Sequence, residues 1–311
     1  MKKIGIELGI RAPLDAVKKA ATIADTEMLN YYFVPETHPK FAGVDAFDAI
    51  QEIAAKVKRV ILGTGIVNVF SRHKSKLLDL ASKIYYETSG KFVLGLGTSA
   101  PIVVENMYKM KFEKPVLRIT TYTDYIKSKY NGHIYWSVVG DKITQLAAEH
   151  ADGVIFFLKP ESEIRQSVKI LEKKLSSLGR AYNSFEIISI LPTYINDSEE
   201  KGRSAARMTI ANYIGSNEFY SKSLEKIGFK KEVRAIRENF LRYGLTTASV
   251  QVSDKMVNEL TTFGTANKCA VEIREYSERT RIKTVLAAFD LPRNGYNIDF
   301  FKNLHKLASR F

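Results

Sequence analysis

The sequence has few of the residues that hold small secreted or metal-binding folds together. Its 311 residues include one cysteine, Cys269, so neither an intramolecular disulfide nor a thiolate metal cluster can form. The five histidines show no H-x-H or H-E-x-x-H spacing, and this predicts that the protein has no metal site. Uncharged apolar runs such as Val154 to Leu158 are far shorter than the roughly 20 residues that span a bilayer. We therefore expect no membrane insertion and a fold stabilised by packing.

The composition is that of a globular protein. Hydrophobic residues make up 45% of the chain and charged residues 26%, values that argue against disorder, collagen-like repeats and coiled coils. The first residues, Met1 to Lys3, run directly into a short strand-like segment without the apolar region of a secretory signal. These features predict a cytoplasmic protein.

Basic residues exceed acidic residues by a wide margin. There are 47 Lys and Arg against 34 Asp and Glu, which gives a formal net charge of +13. Such an excess is compatible with nucleic acid, anionic lipid or a polyanionic small molecule as the partner. No zinc-finger, helix-turn-helix or RNP signature accompanies it. We therefore expect a small-molecule ligand and neither a nucleic-acid nor a membrane partner.

Short β-branched or aromatic runs alternate with segments of helical periodicity along the chain, which predicts repeated βα units. Eight strands in this alternation favour a (β/α)₈ TIM barrel, an α/β fold, over an open Rossmann-like sheet, and one domain over residues 1–311. The predicted strands are Lys3 to Glu7, Leu29 to Val34, Arg59 to Leu62, Phe92 to Leu96, Ile134 to Val139, Gly153 to Leu158, Phe185 to Leu191 and Lys283 to Ala287.

The spacing of the strands is uneven at one point. About ninety residues separate the seventh predicted strand from the eighth, whereas a βα unit needs roughly thirty to forty. Helical patterns fill this stretch. We expect residues 192–263 to form a helical insertion over the C-terminal face of the barrel, where it would act as a lid or as one wall of the substrate pocket.

Acid/base candidates follow the first two predicted strands. Glu7 ends the first strand, and Glu36 and His38 follow the second between two prolines. Catalytic groups of barrels lie at the C-terminal ends of strands, so the Glu36 and His38 pair is the best candidate for moving a proton. The alternative is that these two residues are polar residues of a turn, and that Glu7 is the partner of a barrel Lys or Arg.

Glycine-rich segments follow the third and fourth predicted strands. Glycine allows a flat ligand to approach the main chain closely, so two such segments on adjacent strands suggest a cofactor bound by the backbone. Neither matches the dinucleotide fingerprint or the P-loop. The candidate cofactor-binding residues here are Gly63, Thr64, Gly65, Ile66, Asn68, Gly97 and Thr98.

A further candidate follows the fifth strand. Gly140, Asp141 and Lys142 open a predicted helix whose free N–H groups and positive dipole end could receive a phosphate, with Lys142 adding a charge. The alternative for Asp141 is a simple N-cap role.

Several of these segments, taken in order, resemble the luciferase-like flavin and deazaflavin oxidoreductases. Within that superfamily the chain looks most like the methylenetetrahydromethanopterin reductases and related enzymes that use coenzyme F420. The resemblance covers nearly the whole chain, although Thr37 separates the acidic residue from His38, which usually follows it directly. The matching segments are Gly5-Ile6-Glu7, Gly63 to Asn68, Ser71-Arg72-His73, Gly95-Leu96-Gly97, Phe112, Pro115, Arg118, Gly140, Ala151-Asp152-Gly153 and Phe263-Gly264-Thr265.

The resemblance implies a barrel that holds coenzyme F420 at its C-terminal mouth and transfers hydride between the deazaflavin and an organic substrate. It also implies a cis peptide bond between Gly65 and Ile66 behind the ring, and a homodimer or higher homo-oligomer. Two other hypotheses stay open at this point. One is a monooxygenase that uses FMN, and the other is a barrel that binds flavin or nucleic acid without catalysis.

Overall fold

The computed structural model describes residues 2–36, 44–289 and 295–311. Ten β-strands lie within these ranges. In chain order they are β1 Lys3–Leu8, β2 Tyr31–Val34, β3 Ile61–Thr64, β4 Val67–Asn68, β5 Phe92–Gly97, β6 His133–Ser137, β7 Gly153–Phe157, β8 Glu186–Ile195, β9 Thr262–Gly264 and β10 Thr284–Phe289.

Fourteen α-helices lie within the same described ranges. They are α1 Leu14–Thr26, α2 Ala46–Ala54, α3 Lys74–Glu87, α4 Pro101–Met107, α5 Pro115–Lys127, α6 Asp141–His150, α7 Glu161–Ser177, α8 Glu199–Ser216, α9 Glu218–Leu224, α10 Lys230–Tyr243, α11 Leu245–Ser249, α12 Asp254–Leu260, α13 Ala266–Thr280 and α14 Ile298–Ala308. A 3₁₀ turn spans Tyr182–Ser184, and a π-helical segment, Glu225–Phe229, joins α9 to α10.

Eight parallel strands close into a barrel. Their order is β10, β1, β2, β3, β5, β6, β7 and β8, and pairing of β10 with β8 closes the ring. The two short strands lie outside this ring: β4 pairs with β5, and β9 extends the pairing of β8. The predicted (β/α)₈ barrel is therefore confirmed.

Alternation along the strands separates two layers of core. On β2, Tyr31 and Phe33 belong to the cluster that fills the barrel, whereas Tyr32 and Val34 belong to the larger cluster between strands and helices. Successive side chains of a strand point to opposite faces, and this alternation sorts them. Trp136 of β6 lies fully buried in the outer layer and donates a 2.8 Å hydrogen bond to Thr123.

A polar cluster occupies the N-terminal end of the barrel. The Glu186 carboxylate accepts hydrogen bonds from Lys3 Nζ and Thr284 Oγ1, both at 2.6 Å, and lies 3.5 Å from the Tyr31 hydroxyl. These contacts tie the starts of four strands together. In (β/α)₈ barrels the N-terminal end contributes to stability, and ligands bind at the C-terminal end.

The helices between β8 and β9 have their own hydrophobic core. This second core includes Ile210, Ile214, Val233 and Met256, and Leu158 of the barrel joins it. The unit defined by α8 to α12, called the insertion below, therefore packs as a compact body. Its helices begin at Glu199, because β8 continues through residues 192–195 to pair with β9.

Strand boundaries differ from prediction near two glycine-rich segments. The sequence ends the third strand at Leu62 and the fourth at Leu96, whereas Gly63, Thr64 and Gly97 lie within strands. Glycine lowers strand propensity, but here it is required by close packing between strands, described below. Among the described residues, no helix is long and apolar enough to cross a bilayer, and no three His, Cys, Asp or Glu side chains form a group that could hold a metal ion.

Candidate active site

The centre of the barrel mouth is the turn between β3 and β4. The peptide bond between Gly65 and Ile66 is cis, which confirms the hypothesis drawn from the sequence. The Ile66 side chain packs over Gly97 of β5: a Cβ atom at position 97 would lie 2.6 Å from Ile66 Cδ1 and 2.8 Å from Cγ1. Ile66 and Phe157 are half-buried and pack on the cluster that fills the barrel. They therefore form an apolar surface at the mouth, called the seat below.

Glu7 lies directly against this turn. Glu7 lies at the end of β1 and is 7% exposed. Any side chain at position 65 would overlap the Glu7 carboxylate. A residue with a Cβ atom at position 65 would therefore displace the Glu7 carboxylate. The structure brings the carboxylate of the first strand to the cis peptide between Gly65 and Ile66.

At two other glycines of these strands, neighbouring protein groups occupy the space that a side chain would need. A side chain at Gly63 would overlap the Phe33 ring, and one at Gly95 would overlap the Thr64 main chain. Thr64 is fully buried, and its hydroxyl donates to Gly95 O at 2.8 Å and accepts from Gly95 N at 2.9 Å. Gly63 and Thr64 therefore lie below the mouth and support the seat from within the sheet.

Glu36 lies immediately after β2, beside the same turn. Its backbone N–H donates to Ile66 O at 3.2 Å. Its carboxylate accepts from Asn68 N and the Ser71 hydroxyl, both at 2.8 Å, and from the Arg72 guanidinium. Arg72 also donates to Asp45, the N-cap of α2. Two carboxylates therefore share one guanidinium at this side of the mouth.

Burial controls the ionisation of Glu36. The Glu36 side chain is 6% exposed. Burial raises the pKa of its carboxyl above the ordinary value, and Arg72 and the hydrogen bond from Asn68 N oppose that rise. A buried carboxyl with opposing influences of this kind is a typical feature of functional sites.

Asn68 has an unsatisfied donor beside Glu36. The residue is 3% exposed, and its Oδ1 accepts a 2.7 Å bond from Phe70 N. Its Nδ2 is buried and has no hydrogen-bond partner among the described residues. Buried donors are nearly always paired in native proteins, so this amide is a position at which a bound group would complete the site.

The opposite side of the mouth carries basic groups. Gly140 is the N-cap of α6, is exposed, and has open space where a side chain would stand. Lys142 is exposed, and Asp141 is half-buried and accepts a 3.2 Å bond from Gln166. No side chain caps α6, so its first N–H groups remain available for an anion.

Lys159 follows β7 next to this helix start. It is 6% exposed, and its Nζ donates to Val139 O at 2.7 Å. Burial lowers the pKa of the Lys159 ammonium to about 8, while Glu163 and Asp141 oppose the shift. Glu163 is itself paired with Lys226 of the insertion at 3.2 Å. The ammonium of Lys159 therefore adds a titratable positive charge beside α6.

Aromatic side chains connect the insertion to the barrel at two positions. Phe157, at the end of β7, lies 4.8 Å from the Tyr213 ring and 5.8 Å from the Tyr220 ring. Phe219 of α9 lies 6.5 Å from Phe112, which precedes α5. Helix α9 thus reaches from the exit of β7 to the segment that follows α4.

The structure separates the predicted site residues into two groups. Glu7, Glu36, Gly65, Ile66, Asn68 and Gly97 surround the cis peptide, with Gly63 and Thr64 beneath them, whereas Gly140, Asp141 and Lys142 lie at the start of α6. Thr98 follows β5 directly and is half-buried. His38 lies outside the described residues.

Two residues of the site, Lys159 and Asp45, were not singled out from the sequence. Lys159 follows the apolar run of β7 and meets the same strand-end criterion that selects Glu36. For Asp45 the sequence holds no comparable signal, because it reaches Arg72 from a distant segment of chain.

Comparison with known proteins identifies the family of the chain. The model of the luciferase-like monooxygenase family matches residues 3–137 and 129–281. The 5,10-methylenetetrahydromethanopterin reductase of Archaeoglobus fulgidus is 22% identical over 75% of this chain and 78% of its own length.

Solved structures share the fold over the full chain. The coenzyme F420 dependent tetrahydromethanopterin reductase of Methanopyrus kandleri has a TM-score of 0.83 at 16% identity, covering 99% of this chain and 98% of that one. An F420-dependent secondary alcohol dehydrogenase in complex with an F420-acetone adduct has a TM-score of 0.74 at 13% identity, covering 100% and 99%. The family match extends over most of the barrel, and the chain therefore belongs to the luciferase-like monooxygenase family.

Proposed function

We propose that this protein is a coenzyme F420-dependent oxidoreductase that transfers hydride between the deazaflavin and an organic substrate. The observation that carries the proposal is the seat, where Ile66 fills the space above Gly97 and offers an apolar surface between Glu7 and Glu36. Bound there, the deazaflavin supplies the hydride chemistry, and the protein positions the reacting groups and excludes water.

The residues of the mouth fit a planar ring with polar edges. Half-buried Ile66 and Phe157 offer apolar contact, and the unsatisfied Nδ2 of Asn68 offers a buried donor. Glu36 fixes the segment after β4 through Asn68 N, Ser71 and Arg72. We assign these residues to binding and orientation of the ring.

Two buried carboxylates, Glu7 and Glu36, lie beside the cis peptide. Glu36 already accepts several hydrogen bonds, so its main part is to orient the groups around it. Glu7 lies against Gly65 and is 7% exposed. We propose Glu7 and Glu36 as the candidates for holding or moving a proton at the mouth, with His38 as a further candidate from the sequence.

The basic side of the mouth suits an anionic tail. Coenzyme F420 carries a phosphodiester and a glutamate tail, and the uncapped start of α6 offers N–H donors near Lys142 and Lys159. The net charge of +13 favours anionic ligands in general. We assign Gly140, Lys142 and Lys159 to this role.

The insertion supplies the cover in this proposal. Its contacts with Phe157 and Phe112 would place α9 across the ligand and keep water from the reacting carbons. Deletion of the insertion should abolish turnover in a barrel that still folds.

The proposed substrate is a reduced pterin of the methylenetetrahydromethanopterin type. The support for it is the A. fulgidus reductase, which matches three quarters of this chain at 22% identity.

We further propose a cytoplasmic homodimer or higher homo-oligomer, for which light scattering of the purified protein gives the mass.

The second candidate function is an FMN-dependent monooxygenase, and the description of the matching family favours it. Titration of the purified protein with F420 and, separately, with FMN distinguishes the two, using absorbance and fluorescence. Saturable binding of F420 with turnover of a methylenetetrahydromethanopterin substrate supports the first proposal. Tight binding of FMN alone, with oxygen consumption, would replace it with the second.

A further inference from the structure

The turn after β7 contains a leucine in an unusual backbone conformation. Leu158 has a φ of 45°, in the left-handed region that bulky residues rarely adopt. It also leaves the alternation of its strand. Val154 and Phe156 pack in the layer between strands and helices, where a continued strand would place residue 158 as well. Leu158 is instead buried in the core of the insertion, with 3% of its surface exposed.

The insertion also contacts the chain on both sides of Leu158. Phe157, which precedes it, lies 5.8 Å from the Tyr220 ring of α9. Farther along, the backbone N–H of Glu161 donates to the Glu259 carboxylate of α12 at 2.9 Å. A strained backbone conformation persists only where surrounding contacts hold it, and such positions cluster at functional sites. These contacts and the burial of Leu158 come from the insertion, so the insertion stabilises the turn.

Lys159 is the next residue, and the same turn sets its direction. Its ammonium group lies 5.2 Å from the centroid of the Phe156 ring and donates to Val139 O at 2.7 Å. Val139 immediately precedes Gly140, the N-cap of α6. The two backbone dihedral angles of a residue set the direction of the chain that follows it. A change of φ at Leu158 would therefore move Lys159 away from the start of α6.

We propose that Leu158 is a positioning residue of the active site. Anchored in the core of the insertion, it keeps the turn after β7 in the conformation that places the Lys159 ammonium at the start of α6. The inference rests on the proposed function, because that proposal assigns the anionic tail of the cofactor to Lys159. The insertion then has a second role besides covering the mouth, since its core sets the position of a cation on the barrel.

The position of Lys159 has a measurable electrostatic consequence. Burial lowers the pKa of its ammonium to about 8; Glu163 of α7 and Asp141 of α6 oppose this shift, and Lys226 of the insertion adds to it. An ammonium that leaves this position for water regains its hydration, so its pKa should rise toward that of an ordinary lysine. Loss of the Leu158 side chain should therefore raise the pKa of Lys159.

The test compares Leu158→Ala with Ile236→Ala. Ile236 is a fully buried residue of the same core, on α10, so both changes leave a cavity in the insertion but only the first affects the turn. The ¹³Cε signal of Lys159, assigned with Lys159→Met, is followed against pH in the protein without cofactor. The proton affinity of Lys159 should rise about tenfold or more in Leu158→Ala and stay as in the wild type in Ile236→Ala.

Two further variants separate the role of the anchor from general stability. Leu158→Met keeps an apolar side chain of similar volume, so Lys159 should titrate in it as in the wild type. If Leu158→Ala does not fold, Leu158→Val replaces it, because valine lacks only one methylene group of leucine while its β-branched side chain disfavours positive φ. A Lys159 titration that is identical in the wild type and in a folded Ala or Val variant would overturn the inference.

Cofactor affinity gives a second readout. Leu158→Ala should raise the Kd for F420 at pH 7 about tenfold, the effect expected for Lys159→Met. Addition of Lys159→Met to Leu158→Ala should then weaken binding little further, whereas in an Ile236→Ala background it should keep its full effect. Fully additive losses for the Leu158 and Lys159 changes would contradict the inference.

The two levels of proposal fail in different ways. If the wild type binds neither F420 nor FMN, the proposed function is wrong, and the titration of Lys159 still reports on the role of Leu158. If the wild type binds F420 and Leu158→Ala lowers only the melting temperature, as Ile236→Ala does, Leu158 is a structural core residue and the proposed function stands.

Discussion

Replacing Gly97 by alanine should damage cofactor binding more than stability. The new Cβ would lie 2.6 Å from Ile66 Cδ1 and 2.8 Å from Ile66 Cγ1, with Ser137 Cβ at 3.4 Å. Distances below 3 Å require movement, and the atoms that can move belong to the half-buried Ile66 side chain at the mouth. The variant should therefore fold with Ile66 displaced from the seat.

The magnitude follows from the cost of overpacking. Insertion of one methyl group into a packed region costs about 1 to 3 kcal/mol. If Ile66 avoids that cost by turning into the mouth, the cost reappears when the ring binds and Ile66 must return. Since 1.4 kcal/mol corresponds to a factor of ten, the Kd for F420 should rise by about 5-fold to 150-fold, while the melting temperature falls by a few degrees.

A double-mutant cycle makes the reasoning testable. Ile66→Ala removes both atoms that the new methyl group meets, so Gly97→Ala should weaken binding much less in an Ile66→Ala background than in the wild type. Fluorescence titration with F420 gives the four dissociation constants. Additive effects of the two changes would refute the packing argument, because side chains that do not touch in the binding-competent state show no coupling.

Three further predictions concern the sheet, a helix-to-strand connection and the anion side of the mouth. Gly95→Ala should abolish folding, because its methyl group would overlap the Thr64 main chain, which cannot move aside; recovery of soluble, cooperatively melting protein would contradict this. Partial burial opposes ionisation of Asp25, but bonds from the backbone N–H groups of residues 58–60, at 2.6 to 3.0 Å, outweigh it and hold the pKa of this carboxyl below its ordinary value. Asp25→Asn should therefore cost about 1 to 2 kcal/mol at pH 7, a difference that disappears as pH falls through the lowered pKa, and denaturant melts at pH 7 and pH 3 measure it. Burial lowers the pKa of Lys159 to about 8, so the affinity of the wild type for an anionic cofactor should fall as pH rises through 8. Lys159→Met should bind the cofactor about tenfold more weakly at pH 7 and lose this pH dependence. Equal pH profiles for the two proteins would exclude Lys159 from the site.

Much of the fold follows from local sequence patterns. The barrel strands alternate between two buried layers, and parallel strands buried on both faces read as continuous apolar runs such as Val154 to Phe157. The predicted strand ends near Gly63 and Gly97 are wrong because glycine normally disfavours strands. In this barrel each of these glycines faces a bulky neighbour, Phe33 or Ile66, and that neighbour is visible only in three dimensions.

The candidate site was less accessible from sequence. Strand ends point to Glu7 and Glu36 because polar residues that follow apolar strands meet at one end of a barrel. The same logic selects Lys159 after β7. The Asp45 contact with Arg72 depends on how α2 packs beside the segment after β4, and no spacing in the sequence encodes that packing.

The most direct test of hydride transfer is a single-turnover reaction with reduced F420 that carries two deuterium atoms at C5 of the deazaflavin. Mass spectrometry of the product, formed from a methylenetetrahydromethanopterin substrate without oxygen, shows where the label goes. We expect one deuterium in the product, since hydride passes directly between two carbons held together at the seat. Loss of the label to water, or a product that forms only with FMN and oxygen, would contradict it.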